Sequence, residues 1–161
     1  MVDRLINSIV SIVMIAGIVL SSGCGKQSAA LEEMEEDVVE TNQIYIKVGE
    51  NTLTAVLEDN ESAEALKELM VDGPLTISAS NYGGFEKVCS LGTTLPRNDS
   101  QTTPHAGDIC LYSGNQIVIF YGSNSWAYTR LGKISDADAG ELEKILSGEE
   151  TEITLSLESF H

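Results

Sequence analysis

Cysteine, histidine and positive charge are all scarce in this sequence. It has three cysteines and two histidines in 161 residues, too few for a disulfide-dense scaffold or a zinc site built from these residue types. The nine lysines and arginines are outnumbered by 25 aspartates and glutamates, and the net charge is −16. General nucleic-acid binding needs a basic surface and is therefore excluded. The same charge argues against attachment to anionic lipid by charge alone.

Sequence patterns of common enzymatic chemistry are missing as well. No glycine-rich phosphate loop joins a predicted strand to a helix, and no series of acidic residues has calcium-loop spacing. A serine hydrolase built on His105 would need a nucleophile elbow, which no serine here has. We interpret His105 as a solvated loop residue, and we predict neither a cofactor nor a metal ion.

What the sequence does have is the length and apolar content of one folded domain. A chain of 161 residues is too short for two domains of typical size. Its hydrophobic content of 42% is normal for globular proteins. Disorder of the whole chain is therefore excluded.

The first 24 residues have the pattern of an export signal. Arg4 precedes a mostly apolar run from Leu5 to Leu20, which is shorter than the roughly 20 residues that a membrane-spanning helix needs. The segment Leu20–Cys24 resembles the lipobox of bacterial lipoproteins, in which the cysteine receives a diacylglycerol and becomes the new N-terminus. This resemblance implies a signal peptide over residues 1–23, lipid attachment at Cys24 and a location on the extracytoplasmic face of the cell membrane. An uncleaved membrane anchor is the alternative.

Residues 24–43 are predicted to form an acidic linker. Lys26 is its single base, and its acids are Glu32, Glu33, Glu35, Glu36, Asp37 and Glu40. Such a block of like charge solvates and extends the chain, so we interpret the segment as a spacer between the membrane and the domain. An acidic docking tail is the alternative.

Residues 44–161 are predicted to form the folded domain, which is mainly β with two helices. Alternating apolar residues between turn signals predict strands at 44–48, 53–57, 75–79, 85–91, 108–112, 116–121, 127–131 and 151–157. One helix is capped by Asn60 or Ser62 and ends at Met70, and the other begins with Ser135 and Asp138 and ends at Gly148. A long loop occupies residues 92–107, where periodicity is lost.

The strand over residues 116–121 has apolar side chains at successive positions from Ile117 to Phe120. A strand of this kind is covered on both faces. We expect the barrel interior on one side and a helix on the other.

Four segments of the domain resemble the bacterial cyclophilin-like domain family. They are NYGGFEKV at 81–88, LPRND at 95–99, GDI at 107–109 and GNQIVIFYGSNSWAYTRLGKI at 114–134. The last segment is the most specific, and the resemblance covers about residues 44–158. It implies a closed β-barrel with a helix capping each end, in agreement with the order of strands and helices given above.

True cyclophilins are peptidyl-prolyl isomerases that use an arginine within a Phe-His-Arg strand motif. The comparable strand here has Phe85, Glu86 and Lys87, and the Gln-Gly-Gly-Asp segment of cyclophilins is missing. The flexible ammonium of Lys87 does not reproduce the planar fork of a guanidinium. Because a shared fold does not transfer a reaction, we expect a non-catalytic binding or accessory module. A peptidyl-prolyl isomerase acting on exported proteins is the alternative.

The candidate functional site is a groove that would take a peptide or small-molecule ligand. Its predicted residues combine aromatic, amide and basic side chains: Phe85, Lys87, Gln116, Phe120, Trp126, Tyr128 and Arg130. The alternatives place both phenylalanines in the core, Lys87 and Arg130 on a solvated exterior, and Trp126 beneath the long loop.

The two cysteines of the domain, Cys89 and Cys110, both fall on predicted strands. Outside the cytoplasm they could form a disulfide. Two buried thiols fit the same sequence equally well, and the two alternatives remain open at this point.

Overall fold

Short stretches of alternating apolar and polar residues form most of the secondary structure. The computed structural model describes residues 42–160. Within them the elements are β1 (Gln43–Val48), β2 (Asn51–Leu57), α1 (Glu61–Glu68), β3 (Leu75–Tyr82), β4 (Glu86–Ser90), β5 (Ser100–Thr102), β6 (Asp108–Tyr112), β7 (Gln116–Phe120), β8 (Trp126–Ile134), α2 (Ala139–Leu146) and β9 (Glu152–Ser156). The predicted signal peptide, the lipid-attachment residue Cys24 and nearly all of the predicted linker lie outside the described residues.

Eight of the strands close into an antiparallel barrel. Their order is β2-β1-β9-β3-β4-β7-β6-β8, and β8 pairs back onto β2. The closing contact is short, with Ala55, Val56 and Leu57 opposite Ile134, Lys133 and Gly132. All eight predicted strands are present, and the predicted mainly β, closed barrel with two helices is confirmed.

The barrel interior is the main hydrophobic core, and both helices contribute to it. Alternate residues of β1, such as Ile44, Ile46 and Val48, point inward and are almost fully buried. Leu66 of α1 and Leu142 of α2 pack into the same core. The helices lie at opposite ends of β2, because α1 follows its last residue and α2 lies beside its first residues.

Both helices begin at a side-chain cap. The Asn60 side chain accepts a hydrogen bond from the Ala63 amide, so the first of the two predicted caps is the one used. Asp138 caps α2 in a reciprocal capping box with Glu141. The predicted start of α2 at Ser135 is wrong, because the amide of Ser135 instead donates to the Thr54 carbonyl over 2.9 Å.

The predicted loop over residues 92–107 contains a strand that the sequence pattern missed. Strand β5 pairs with the first part of β8, with Thr102 opposite Trp126. It is three residues long and entirely polar, so no alternation was available to indicate it. The loop is also fastened to α1, since the Ser62 hydroxyl donates to the Pro96 carbonyl over 2.7 Å.

Neither helix within residues 42–160 has the length and hydropathy required to cross a lipid bilayer.

Candidate functional site

A groove with a volume of about 530 Å³ lies on the outer face of the barrel, across strands β3, β4, β6, β7 and β8. We call it the outer groove. It is lined by Ser80, Tyr82, Glu86, Val88, Tyr112, Gln116, Val118, Asn124, Trp126 and Tyr128. Its volume is within the range of sites for small organic ligands.

Strand alternation decides which residues reach the outer groove. On β4, Cys89 packs into the main core, and Lys87, which points the same way, is fully buried. Glu86 and Val88 alternate with them and line the outer groove. The register places Val88 directly opposite Val118 of β7, which gives the groove an apolar floor.

The outer face of the barrel here carries a second hydrophobic cluster instead of solvated residues. It consists of Cys110, Val118, Phe120 and Tyr128, with Phe85 and Val88 packed against it. The prediction that Ile117–Phe120 is covered on both faces is confirmed, since all four residues are at most 1% exposed. The expected helix on the outer side is wrong, because the second cluster provides this cover.

Tyr128 is the centre of the aromatic arrangement. Its ring makes an edge contact with Phe120 at a centroid distance of 5.5 Å and a tilted contact with Tyr112 at 6.0 Å. Its hydroxyl accepts a hydrogen bond from the Asn124 side chain over 3.1 Å. These contacts fix the ring at the floor of the outer groove. Trp126, two residues earlier on the same strand, is 57% exposed at the rim.

The turn before β8 is held against the barrel by close backbone packing. The amide of Gly122 donates to the Phe85 carbonyl over 2.8 Å. A Cβ atom on Gly122 would lie 2.6 Å from the Cβ of Phe85, so a side chain has no room there. The Ser123 hydroxyl donates to the Pro104 carbonyl over 2.8 Å. These contacts hold the turn in a position from which the Asn124 side chain can donate to the Tyr128 hydroxyl.

Glu86 is the one ionisable acid that lines the outer groove in the described part of the chain. It is only 5% exposed. Burial raises the pKa of its carboxyl above the usual value, and a hydrogen bond with the Tyr128 side chain partly opposes this change. The pKa of Tyr128 is raised too, first by burial and then by the negative charge of Glu86.

Three of the predicted site residues, Gln116, Trp126 and Tyr128, line the outer groove. Phe85 and Phe120 belong to the packed cluster beneath it, as the core alternative proposed. Trp126 is too exposed to be packed beneath the long loop, so that alternative is wrong.

The two basic residues of the predicted groove lie elsewhere, and this part of the prediction is wrong. Lys87 points into the barrel, where its Nζ donates to the carbonyls of Gly148 and Glu150 over 3.0 and 2.9 Å. Arg130 forms ion pairs with Asp108 at 3.3 Å and Glu58 at 3.8 Å and does not line the groove. Both placements follow from strand register, which composition does not give.

Sequence reasoning missed Glu86 as a site residue. A signal was present, because a strand that turns Lys87 inward must turn its neighbour outward. The sequence did not show which face of this strand turns into the barrel, so Lys87 was assigned to the groove in place of Glu86.

The two cysteines are free thiols on opposite faces of the barrel wall. Cys89 packs in the barrel interior and Cys110 in the outer cluster, so the disulfide alternative is wrong. Burial raises the pKa of each thiol to about 12. Within residues 42–160, no group of three or more histidine, cysteine or acidic side chains is placed to hold a metal ion.

Comparison with known proteins gives a family and a structural relative. Residues 46–158 match the model of the Cyclophilin-like family. No curated protein matches the chain. The solution structure of the hypothetical protein AF2241 from Archaeoglobus fulgidus is similar with a TM-score of 0.57 and 14% sequence identity, over 72% of this chain and 94% of that one. At this identity the likeness concerns the fold, whereas the family match covers most of the chain: the protein belongs to the cyclophilin-like family.

Proposed function

We propose that the protein is a lipid-anchored, extracytoplasmic lipoprotein whose barrel binds a peptide or small-molecule ligand in the outer groove without catalysing a reaction. The observation that carries the proposal is the exposed aromatic rim above a buried floor. Trp126 is 57% exposed and Tyr82 is 63% exposed, although both are large apolar side chains. A concave site with aromatic walls and few polar groups is typical of ligand binding.

The side chains that line the outer groove favour ligand binding over catalysis of prolyl isomerisation. None of the described residues that line it is a lysine, arginine or histidine. An isomerase of the cyclophilin type needs a fixed donor beside the prolyl carbonyl. Lys87, the residue in the comparable strand motif, uses its ammonium on two backbone carbonyls inside the barrel.

Ligand binding is tested by a thermal-shift screen of peptides and metabolites. A ligand that binds the folded state raises the melting temperature. We expect hits on the wild type that are lost in Trp126→Ala and kept in Val71→Ala, since Val71 is 70% exposed and does not line the outer groove. Hits that survive Trp126→Ala, or no hits at all, would contradict binding at this site.

The absence of catalysis is tested in a protease-coupled prolyl-peptide assay. We expect the wild type to match the uncatalysed rate. Turnover above that rate that is lost in Trp126→Ala would establish isomerase activity in the outer groove and overturn the non-catalytic part of the proposal.

The membrane anchor rests on the sequence of the first 24 residues. We expect the full chain to incorporate labelled fatty acid in a bacterial host and to partition into detergent. The variant Cys24→Ser should not be labelled, because it lacks the acceptor sulfur. Equal labelling of both chains, or recovery of the wild type from cytosol with Met1 intact, would contradict the anchor.

A further inference from the structure

The carboxyl group of Glu86 lies at the floor of the outer groove without a counter-ion. The residue is 5% exposed, and its Oε2 atom has no hydrogen-bond partner among residues 42–160. No lysine or arginine within those residues forms an ion pair with it. Burying a carboxylate without a cation is costly. A group that destabilises the fold and faces a cavity is a candidate functional residue.

The residues around Glu86 are suited to a positively charged group. Tyr82, Tyr112, Trp126 and Tyr128 line the same groove. The faces of aromatic rings carry negative electrostatic potential and attract cations. A cation that enters the outer groove would meet the exposed rings of Tyr82 and Trp126 first, and then the Tyr128 ring and the carboxylate of Glu86 at the floor.

The chain as a whole adds a long-range attraction. Its net charge is −16, so its field concentrates cations near the surface and repels anions. This field acts on any cation, whereas the rings and the carboxylate select an organic one. An inorganic cation site would need several oxygen ligands, and no such cluster occurs within residues 42–160.

We propose that the outer groove binds an organic ammonium group, which donates a hydrogen bond to the carboxylate of Glu86 and packs against the aromatic rings of Trp126 and Tyr112. This inference rests on the proposed function, because it names the ligand class of the same groove. A buried carboxylate with an oxygen that lacks a hydrogen-bond partner favours a protonated amine over a quaternary ammonium, which has no N–H to donate. The amine belongs either to a free small molecule or to a lysine side chain, and the two share this chemistry.

The test uses the fluorescence of Trp126, which is the single tryptophan of the sequence. The full chain is titrated with n-butylamine and with its neutral counterpart 1-butanol, at matched ionic strength. A second pair is N-acetyl-lysine methylamide and N-acetyl-norleucine methylamide. We expect saturable quenching or enhancement by each amine and no saturable change with either neutral partner. The tighter of the two amines identifies the free or the lysine-borne source.

Two variants separate the role of Glu86 from a general effect of charge. Glu86→Gln keeps the shape and removes the charge, and we expect it to weaken amine binding at least about tenfold. Glu68→Gln makes the same change of net charge at an exposed position of α1, outside the outer groove, and should bind as the wild type does. Circular dichroism of each variant checks that the barrel is intact.

The experiments distinguish failure of the ammonium site from failure of ligand binding in the outer groove. Equal binding of amine and neutral partner, or equal amine affinity in wild type and Glu86→Gln, would overturn the ammonium site. The proposed function would still stand if hits of the thermal-shift screen depended on Trp126. If neither the amines nor any screened compound bound, both proposals would be contradicted.

Discussion

Asn81 and Lys87 face each other across strands β3 and β4, and both donate a hydrogen bond to the carbonyl oxygen of Gly148 over 3.0 Å. Lys87 donates a second bond to the carbonyl of Glu150 over 2.9 Å. The pair thereby fastens the connection between α2 and β9 to the barrel wall. The ammonium of Lys87 has a structural role in this position and is not available to a ligand in the outer groove.

Lys87→Met should therefore destabilise the protein. Methionine fills much of the same space but leaves the carbonyl of Glu150 without its donor, so we expect a loss of about 2–4 kcal/mol in the free energy of unfolding. Chemical denaturation measures it. Lys144→Met is the control, since Lys144 is exposed on α2, and should change stability by about 0.5 kcal/mol or less. Equal values for the two variants would contradict the structural role of Lys87.

Gly132 lies where β8 closes the barrel against β2. A Cβ atom there would contact the Val56 carbonyl and lie 2.9 Å from the Cα atom of Leu57. We expect Gly132→Ala to push the two strands apart and to cost roughly 1–3 kcal/mol, as overpacking does.

The control for Gly132→Ala is Gly140→Ala. A Cβ atom on Gly140 meets one side-chain oxygen, Asp138 Oδ1, at 3.4 Å. Since Gly140 lies in the first turn of α2, alanine there should be neutral or stabilise by about 0.5 kcal/mol. Comparable thermal melting of both variants would contradict the close approach of β2 and β8.

Glu86 should make stability depend on pH. Burial raises the pKa of this carboxyl in the folded state above its usual 4.5. The folded state then binds the proton more tightly than the unfolded state does. The free energy of unfolding therefore falls as the pH rises from below 4.5 through the folded-state pKa of Glu86. Tyr128 and Cys110 lie nearby with raised pKa values and keep their protons in this range.

Glu86→Gln removes this effect, because glutamine has no proton to lose. Near pH 7, we expect the free energy of unfolding of the variant to exceed that of the wild type by roughly 1 kcal/mol. This difference should disappear as the pH falls towards 4.5. Denaturation at several pH values measures the difference, with Glu68→Gln as the control. A wild type more stable than Glu86→Gln at neutral pH would mean that the carboxylate has a stabilising partner. Higher stability with weaker amine binding would mark Glu86 as a functional residue.

The thiols of Cys89 and Cys110 should be unreactive in the native protein. Burial raises the pKa of each to about 12, so little thiolate exists near pH 8. We expect iodoacetamide to leave both unmodified in the folded state and to modify both in denaturant, as measured by peptide mass spectrometry. Rapid modification of either native thiol would show that its strand opens.

The sequence indicated most of the strands because their local signals agree with the final fold. The apolar residues of β1 alternate with polar ones, so the pattern predicts a strand with one buried face. Asn60 and Asp138 are good helix caps before amphipathic segments, and both serve as caps in the structure. Strand β5 has no apolar residue to bury, and pairing with β8 alone determines it.

The candidate site was only partly predictable, because residue type is visible in the sequence and strand register is not. Gln116, Trp126 and Tyr128 were predicted from residue type, which is a property of each residue alone, and all three line the outer groove. Whether Lys87 or Glu86 faces the outer groove depends on the register of β4 with β3 and β7, and a shift by one residue exchanges the two faces.

By itself the sequence determined most of the apolar residues that are buried, and with them the eight barrel strands and the two helices, because hydrophobic periodicity is local. The tertiary structure decided which face of each strand looks inward. Barrel closure places Lys87 among backbone carbonyls and Glu86 beneath aromatic rings. These surroundings come from strands far apart in the sequence, and the charge chemistry of the outer groove depends on them.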